Sequence, residues 1–249
     1  MSIYVTGDTH GDYDIKSIEE WEQRVKPGPQ DYLAICGDWG AIWINEYGFI
    51  DTSFITYWEK KPYNILVVDG NHDNHNALAA LEPCLWGGDV AGHIAHNIVH
   101  LQRGGYYEVN GITLWVFGGA ESIDKQWRTE GLSYWKEEMA TPEQMERGWN
   151  ALKAHDSKVD YILTHDCPWQ LYAALYGKLG GAKGWNYHNQ FLGDVAEAAS
   201  FKKWYFGHHH IDMDLGQQYV ALYNKVLELG ESHLSYYCKT ASDSPTILY

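Results

Sequence analysis

The sequence has few cysteines, few basic residues and no long apolar run, and each shortage excludes a class of protein. The four cysteines, Cys36, Cys84, Cys167 and Cys238, lie far apart without a C-x-x-C spacing, which favours free thiols over disulfides. No segment approaches the ~18 consecutive apolar residues of a membrane-spanning helix. Eighteen lysines and arginines against 33 acidic residues give a net charge of −15, which disfavours long nucleic acids as partners.

The chain also lacks the marks of a composite or exported protein. Its 249 residues, 45% of them apolar, suffice for a substantial core, and no repeat, low-complexity linker or composition break divides them. We therefore expect one domain over residues 1–249. The first six residues resemble a strand with no basic segment and no long apolar segment, so we expect no secretion signal, no membrane association and a cytoplasmic location.

Short apolar runs alternate with amphipathic segments, which predicts an α/β (α+β) fold with mixed sheets covered by helices. Strands are expected at residues 3–5, 32–36, 64–68, 106–109, 112–117, 159–163, 203–206, 213–215 and 219–229. Helices are expected at about 14–25, 52–60, 76–81 and 141–154, with one or two more between 169 and 200. Asn110-Gly111 predicts a hairpin, Pro83 is expected to end a helix, and residues 84–103 are expected to be irregular.

Polar side chains follow several of these strand candidates. They are Asp8 and His10, Asp38, Asn71 and His72, His165, and His208 and His210. Because ligands gather at the carboxyl ends of strands in α/β proteins, we expect these side chains to meet in one crevice. Carboxylate, imidazole and amide donors suit divalent Mn, Fe or Zn. The set is too large for one ion, so it predicts a centre of two divalent metal ions that share one carboxylate.

Such a centre is suited to phosphate esters. Two ions about 3.5–4 Å apart hold a hydroxide between them and clamp phosphate oxygens, while the leaving oxygen needs a proton donor. His72, next to the candidate ligand Asn71, is the candidate general acid, and Asp73 is expected to orient its ring. The alternative for Asp73 is to cap the following helix. His209 lies between two candidate ligands and is expected to contact either a ligand or the substrate.

The ordered motifs D-x-H, G-D, G-N-H-D, H and G-H-x-H, spread over residues 7–210, resemble those of the calcineurin-like metallophosphoesterase superfamily. The resemblance implies a four-layer sandwich of two mixed β-sheets flanked by α-helices, with a binuclear metal centre at one edge. It implies, position by position, Asp8, His10 and His210 on one ion, Asn71, His165 and His208 on the other, Asp38 between both, and His72 as general acid.

The sequence departs from the superfamily pattern at two places. Asp38 is followed by Trp39-Gly40 and not by the Asp and Arg of protein serine/threonine phosphatases, which favours a small phosphoesterase. His165 is followed by Asp166-Cys167-Pro168, where many relatives carry two prolines, so this loop is expected to differ in shape.

The resemblance implies hydrolysis of a phosphodiester or phosphomonoester by a metal-bridging hydroxide, with manganese among the candidate metals. The expected substrate is small, phosphorylated or nucleotide-like. Two alternatives are an inactive metal-binding scaffold for protein–protein interaction and a nuclease acting on short oligonucleotides. The presence of His72 with Asp73 argues against the scaffold.

Aromatic and basic residues border the motifs. The tryptophans Trp39, Trp43, Trp169 and Trp185 either form a stacking wall for a base or pack in the core, and Trp39 is a candidate substrate contact. Lys178 and Lys183, in the glycine-rich segment 177–187, either hold a second phosphate or are solvated.

Overall fold

Strands and helices alternate along the part of the chain that the computed structural model describes, which is residues 1–11, 13–44, 50–51, 53–177 and 184–235. The strands are β1 (Ile3–Thr6), β2 (Tyr32–Cys36), β3 (Trp43–Ile44), β4 (Ile50–Asp51), β5 (Asn64–Val68), β6 (Glu82–Trp86), β7 (Asp89–Ala95), β8 (Ile98–Leu101), β9 (Gly105–Val109), β10 (Ile112–Phe117), β11 (Tyr161–Thr164), β12 (Lys203–Phe206), β13 (Met213–Leu215), β14 (Tyr219–Ala221) and β15 (Leu227–Glu228). The α-helices are α1 (Lys16–Val25), α2 (Ser53–Glu59), α3 (His75–Ala79), α4 (Pro142–Ala154), α5 (Tyr172–Tyr176) and α6 (Tyr187–Ala198).

The strands form two large mixed sheets. One has seven strands in the order β15-β1-β2-β5-β8-β7-β6, of which β1, β2, β5 and β8 run parallel. The other has six strands in the order β13-β14-β12-β11-β10-β9, of which β14, β12, β11 and β10 run parallel. The short strands β3 and β4 pair separately. Each large sheet therefore places parallel strands at its centre, with their carboxyl ends at one edge.

The two large sheets pack face to face and are covered by helices on their outer faces. Val5 and Leu66 of the first sheet share a buried apolar cluster with Val116 of the second. Trp21 of α1 and Trp58 of α2 pack on the other face of the first sheet. The outer face of the second sheet is covered by α4 and α6. These four layers confirm the predicted sandwich of two mixed β-sheets flanked by α-helices.

The predicted hairpin is confirmed by the backbone angles, and the start of α4 is fixed by a side-chain cap. Asn110 and Gly111 have φ angles of 52° and 78°, the left-handed pair that a tight hairpin turn between β9 and β10 requires. Thr141 caps α4, since its side chain accepts from the backbone N–H of Gln144 while the Gln144 side chain accepts from the Thr141 N–H.

The segment between α3 and β9 differs from the prediction. Residues 84–103, expected to be irregular, supply most of β6, β7 and β8. Pro83 does not end a helix but lies inside β6, and α3 ends earlier, at Ala79. Because β6 is an edge strand, a missing N–H is tolerated there. Most side chains of β6 are exposed, so the strand lacks the apolar alternation by which a half-buried strand is recognised.

Smaller differences concern the ends of elements and the thiols. The strand expected at 159–163 begins at Tyr161, and the run 219–229 contains two strands, β14 and β15. Cys36, Cys84 and Cys167 are free thiols, as expected, while Cys238 lies outside the described residues. Among the described residues, none of the helices has both the length and the apolar character needed to cross a bilayer.

Candidate metal centre

The predicted ligands lie where five central strands end. Loops after β1, β2 and β5 of the first sheet and after β11 and β12 of the second bring them together. The loops after β1 and β2 are joined by backbone hydrogen bonds, from the N–H of Asp8 to the Gly37 carbonyl at 3.1 Å and from the N–H of His10 to the Asp38 carbonyl at 2.9 Å. The parallel sheets thus place polar side chains from distant positions side by side.

The first group of donors surrounds Asp8. One donor atom each from Asp8, His10 and His210 lies within 4.8 Å of the other two. The Nε2 atom of His210 lies 3.6 Å from Oδ1 of Asp8. His10 Nδ1 is hydrogen-bonded to Asp14 at 2.8 Å, which fixes the ring and directs Nε2 toward Asp38, 3.6 Å away. Asp14 is an orienting residue that the sequence reasoning missed.

The second group of donors surrounds the side-chain oxygen of Asn71. His165 Nε2 and His208 Nδ1 each lie 3.0 Å from Asn71 Oδ1. Zn–N and Zn–O distances are about 2.0–2.1 Å, so two donor atoms that bind the same ion with a right angle between them lie about 3 Å apart. Asp38 Oδ2 lies 3.4 Å from His165 Nε2, so Asp38 is close to both groups of donors.

A hydrogen-bonded pair outside the motifs orients Asn71. The Nδ2 atom of Asn71 donates to Ser122 Oγ at 3.0 Å, and Ser122 Oγ donates to Glu138 Oε2 at 2.7 Å. Because the amide nitrogen is held by Ser122, the oxygen Oδ1 faces His165 and His208. Ser122 and Glu138 lie in a stretch without sequence periodicity, so no signal in the sequence indicated them.

The donors carry strongly shifted pKa values. Burial raises the pKa of Asp8 to about 7, although nearby His165 opposes the shift. Burial also opposes ionisation of Asp38, but the adjacent imidazoles, His165 first, hold its pKa well below the usual range. Burial would lower the pKa of His165, but Asp38 and Asp8 raise it to about 10. The pKa values of Asp38 and His165 are thus shifted in opposite directions, as expected for a buried carboxylate beside an imidazole.

A pair of divalent cations fits this donor set. Asp8 and Asp38 are buried carboxylates, and in the described chain their charge partners are imidazoles. A bound cation would replace the protons of these imidazoles as the balancing positive charge. Oxygen and imidazole donors suit Mn, Fe or Zn, and the geometry provides two groups with Asp38 between them.

Backbone strain is concentrated at these residues. Left-handed φ angles between 43° and 65° occur at Asp8, His10, Asp38, His208 and His210. Neighbouring glycines allow the close approach, because a Cβ at Gly37 would collide with the His165 ring and one at Gly70 with the Asp38 carboxylate. Strained residues of this kind cluster at functional sites.

His72 lies beside the donors but outside both groups. Its backbone N–H donates to Asp38 Oδ1 at 2.7 Å, and its ring centroid lies 6.0 Å from that of His10. The half-buried ring lines a cavity of about 620 Å³. The side chain is therefore placed where a substrate could meet it.

Asp73 does not occupy either of its expected roles. Its two carboxylate oxygens accept from the backbone N–H groups of Gly40 at 2.8 Å and Gly70 at 2.7 Å, so Asp73 braces the loops and does not orient the His72 ring. The cap of α3 is the next residue, Asn74, which accepts from the Ala77 N–H. Asp73 is fully buried, and its oxygens form hydrogen bonds with the two loop N–H groups within reach in preference to the His72 ring.

The structure places neither His209 nor Trp39 where a substrate could contact it, and the His209 ring centroid lies 5.1 Å from that of the candidate ligand His208, which agrees with the other alternative for His209. The His209 side chain is 2% exposed, and its ring nitrogens lie 2.7 Å from Tyr176 Oη and 3.2 Å from Asp166 Oδ1. These contacts hold the loop after β12 against the protein interior. Trp39 is fully buried and packs on Trp58 in the core, which leaves no surface for a substrate. An apolar ring next to a buried strand gains more from core burial than from a wet cavity.

The remaining aromatic and basic candidates are only partly described. The rings of Trp169 and Trp185 lie 5.5 Å apart, and Trp185 is 51% exposed. The side chain of Trp43 and the whole of Lys178 and Lys183 lie outside the described residues.

The sequence that carries these donors matches a known protein family. A family model described as calcineurin-like phosphoesterase matches residues 1–212, which include all the predicted ligands. The chain belongs to the calcineurin-like phosphoesterase family. The resemblance seen in the motifs is thereby confirmed.

Two further comparisons identify a relative that is similar in sequence and a solved structure that is similar in fold. It is 32% identical to the lariat debranching enzyme of Homo sapiens over 139 residues, which cover 50% of this chain and 24% of that protein. The chain thus spans about a quarter of that relative. A solved crystal structure matches with a TM-score of 0.50 and 12% identity over 92% of this chain and 95% of that one, which supports the fold alone.

Proposed function

We propose that this chain is a metal-dependent phosphodiesterase that acts on small, nucleotide-like substrates with two divalent cations. The observation that carries the proposal is the pair of donor groups on either side of Asp38, beside a cavity that a substrate can enter. Family membership supports the reaction class, and the donor geometry supports a binuclear centre.

The ligand roles are proposed residue by residue. One ion would be held by Asp8, His10 and His210, the other by Asn71, His165 and His208, and both by Asp38. Bound there, divalent cations would supply an acidified water as nucleophile and offset charge on the phosphate oxygens. Asp14 and Ser122 would keep the donor atoms directed at the ions.

His72 would protonate the leaving oxygen. Its ring lines the cavity and belongs to neither donor group, so it is placed to give a proton to a bound substrate. Burial lowers the pKa of His72 while the Asp38 charge opposes the shift, so the protonated ring is a stronger acid than a free histidine. The hydrogen bond from its N–H to Asp38 fixes its position relative to the centre.

Two observations favour a diester over a monoester. Near neutral pH the reacting phosphate of a monoester would bring a second negative charge beside the buried carboxylates Asp8 and Asp38, in a chain of net charge −15. The similarity to a lariat debranching enzyme also points to nucleotide-like diesters. Because the chain spans about a quarter of that enzyme, the similarity supports a substrate class and not an identity.

The test is a comparison of two aryl esters after the protein has been stripped of metal and reloaded with Mn²⁺. We expect bis(p-nitrophenyl) phosphate to be hydrolysed with at least a roughly tenfold higher kcat/KM than p-nitrophenyl phosphate. Asp38→Asn, purified in parallel, controls for contaminating phosphatases. A preference for the monoester would refute the diester assignment. No turnover of either ester with two ions bound would support the scaffold alternative.

A further inference from the structure

The cavity beside His72 extends to residues that hold no metal. Its walls include Tyr13, Phe54, Arg128 and Ser133 in addition to His10 and His72. These four come from three separate parts of the chain, and none of them belongs to a motif of the family. The volume of about 620 Å³ is in the range of sites for small ligands.

Arg128 is held in place on the cavity wall. Its Nε donates to Asp124 Oδ1 at 2.8 Å and its Nη1 to the Ser133 carbonyl at 3.1 Å. Among the described residues, its Nη2 has no hydrogen-bond partner, and the side chain is 27% exposed. A planar guanidinium fixed at one edge presents its other edge to a ligand, which is the geometry that suits a phosphate.

The position of Arg128 relative to His72 indicates which part of a substrate it would meet. Arg128 and His72 line the same cavity. Arg128 therefore shares the cavity with the proposed proton donor. A group bound to it would belong to the leaving group.

Two aromatic side chains line the same cavity. Tyr13 is 87% exposed and Phe54 is 38% exposed. Exposed aromatic faces next to a cationic side chain are the elements with which proteins bind the bases and phosphates of single nucleotides. The described part of the cavity wall contains one such cationic side chain, Arg128, which suits one additional phosphate and not a long nucleic-acid backbone.

We propose that this cavity binds a leaving group that is itself a nucleotide, with Arg128 on its additional phosphate and Tyr13 and Phe54 against its base. The inference rests on the proposed phosphodiesterase function. It restricts the expected substrates to diesters whose leaving group carries a second phosphate.

The first test uses thymidine dinucleotides with one internal diester and either no terminal phosphate, a 5′-terminal phosphate or a 3′-terminal phosphate. In the Mn²⁺-loaded protein, we expect one phosphorylated dinucleotide to be cleaved with a kcat/KM at least roughly tenfold above that of the unphosphorylated one. Chromatography of the products should show that the phosphorylated nucleoside is the one released. Arg128→Gln should bring the ratio of the two kcat/KM values close to one.

Arg147→Gln is the matched control. Arg147 is also a partly exposed arginine paired with an aspartate, Asp89, but it does not line this cavity. This variant should keep the substrate ratio of the unmodified protein. An equal loss of kcat/KM on all three dinucleotides in Arg128→Gln would overturn the inference, because Arg128 would then act on the reacting phosphate or on the fold. The absence of any preference in the unmodified protein would overturn it as well.

A binding measurement keeps the inference separate from the proposed activity. Calorimetry on the Mn²⁺-loaded protein should show thymidine 5′-phosphate or 3′-phosphate binding at least roughly tenfold tighter than thymidine, with the difference lost in Arg128→Gln. If the dinucleotides are not cleaved but this difference is present, the proposed hydrolysis fails and the subsite stands. If cleavage occurs but Arg128→Gln changes neither ratio, the subsite fails and the hydrolysis stands.

Discussion

Removal of the Ser122 hydroxyl should weaken one of the two proposed metal sites and leave the other nearly intact. Ser122 is the acceptor that holds the amide nitrogen of Asn71 and thereby directs Asn71 Oδ1 at His165 and His208. In Ser122→Ala the amide loses this partner and is free to rotate, so the nitrogen can replace the oxygen among the donors. The group around Asp8 and His10 makes no contact with Ser122 in the described hydrogen bonds, so it should be unaffected.

The size of the effect follows from the network. Loss of a partner that orients a metal ligand typically lowers metal affinity about 10–100-fold, which corresponds to about 1.4–2.8 kcal/mol. The substitution also leaves Glu138, whose carboxylate accepts from Ser122 Oγ at 2.7 Å, with one hydrogen bond fewer in a buried position. We therefore expect a further loss of about 1–3 kcal/mol in the unfolding free energy of the metal-free protein.

Calorimetric titration of the stripped protein with Mn²⁺ separates the two effects. The unmodified protein should bind two equivalents, and Ser122→Ala should show one equivalent weakened and one unchanged. Thr113→Val is a suitable control, because Thr113 Oγ1 joins Asp160 in a similar network outside the donor groups and its loss should lower stability alone. Unchanged affinity for both equivalents, or the same weakening in Thr113→Val, would refute the orienting role of Ser122.

Four further predictions concern the centre and the fold. His72→Ala should keep both ions and slow hydrolysis most for diesters with poor leaving groups, and an equal loss for good and poor leaving groups would count against the acid role. Asp38→Asn should lower occupancy of both sites, measured by elemental analysis, whereas a full pair of ions would rule out a shared ligand. Addition of Mn²⁺ at 100 times its Kd to stripped protein should stabilise it by about 2.7 kcal/mol for each occupied site, seen as a higher Tm, and an unchanged Tm would exclude tight binding. Thr141→Ala should cost about 1 kcal/mol in chemical denaturation through loss of the α4 cap, and Thr141→Ser should restore most of it.

The predicted ligands came together because their pattern depends on local rules. Each follows a short apolar run, and parallel strands place such positions at one edge of a sheet whatever their distance in sequence. The hairpin at Asn110-Gly111 was predictable for a similar reason, since few residue pairs adopt two successive left-handed angles. In both cases a few adjacent residues carry the information.

The predictions were wrong where contacts with residues distant in sequence determine what a side chain binds. Asp73 could be assigned to His72 by proximity along the chain, but its oxygens accept from Gly40 and Gly70, and the first of these lies 33 residues away. Trp39 directly follows the G-D motif, yet its side chain turns into the core toward Trp58. Ser122 was invisible because its role exists only once Asn71 and Glu138 are folded around it. No local sequence signal indicates the contacts of Asp73, Trp39 or Ser122.

The left-handed backbone at the ligands has a consequence for how such a protein can change. A non-glycine residue in this conformation costs roughly 1–2 kcal/mol, and such residues at Asp8, His10, Asp38, His208 and His210 together are a large part of the 5–15 kcal/mol by which proteins are usually stable. Glycine would relax each position but remove its donor. Stability gained by relaxing these positions would therefore remove candidate metal ligands, and a thermostabilised variant that keeps its donors must gain its stability elsewhere, in the core or at helix caps.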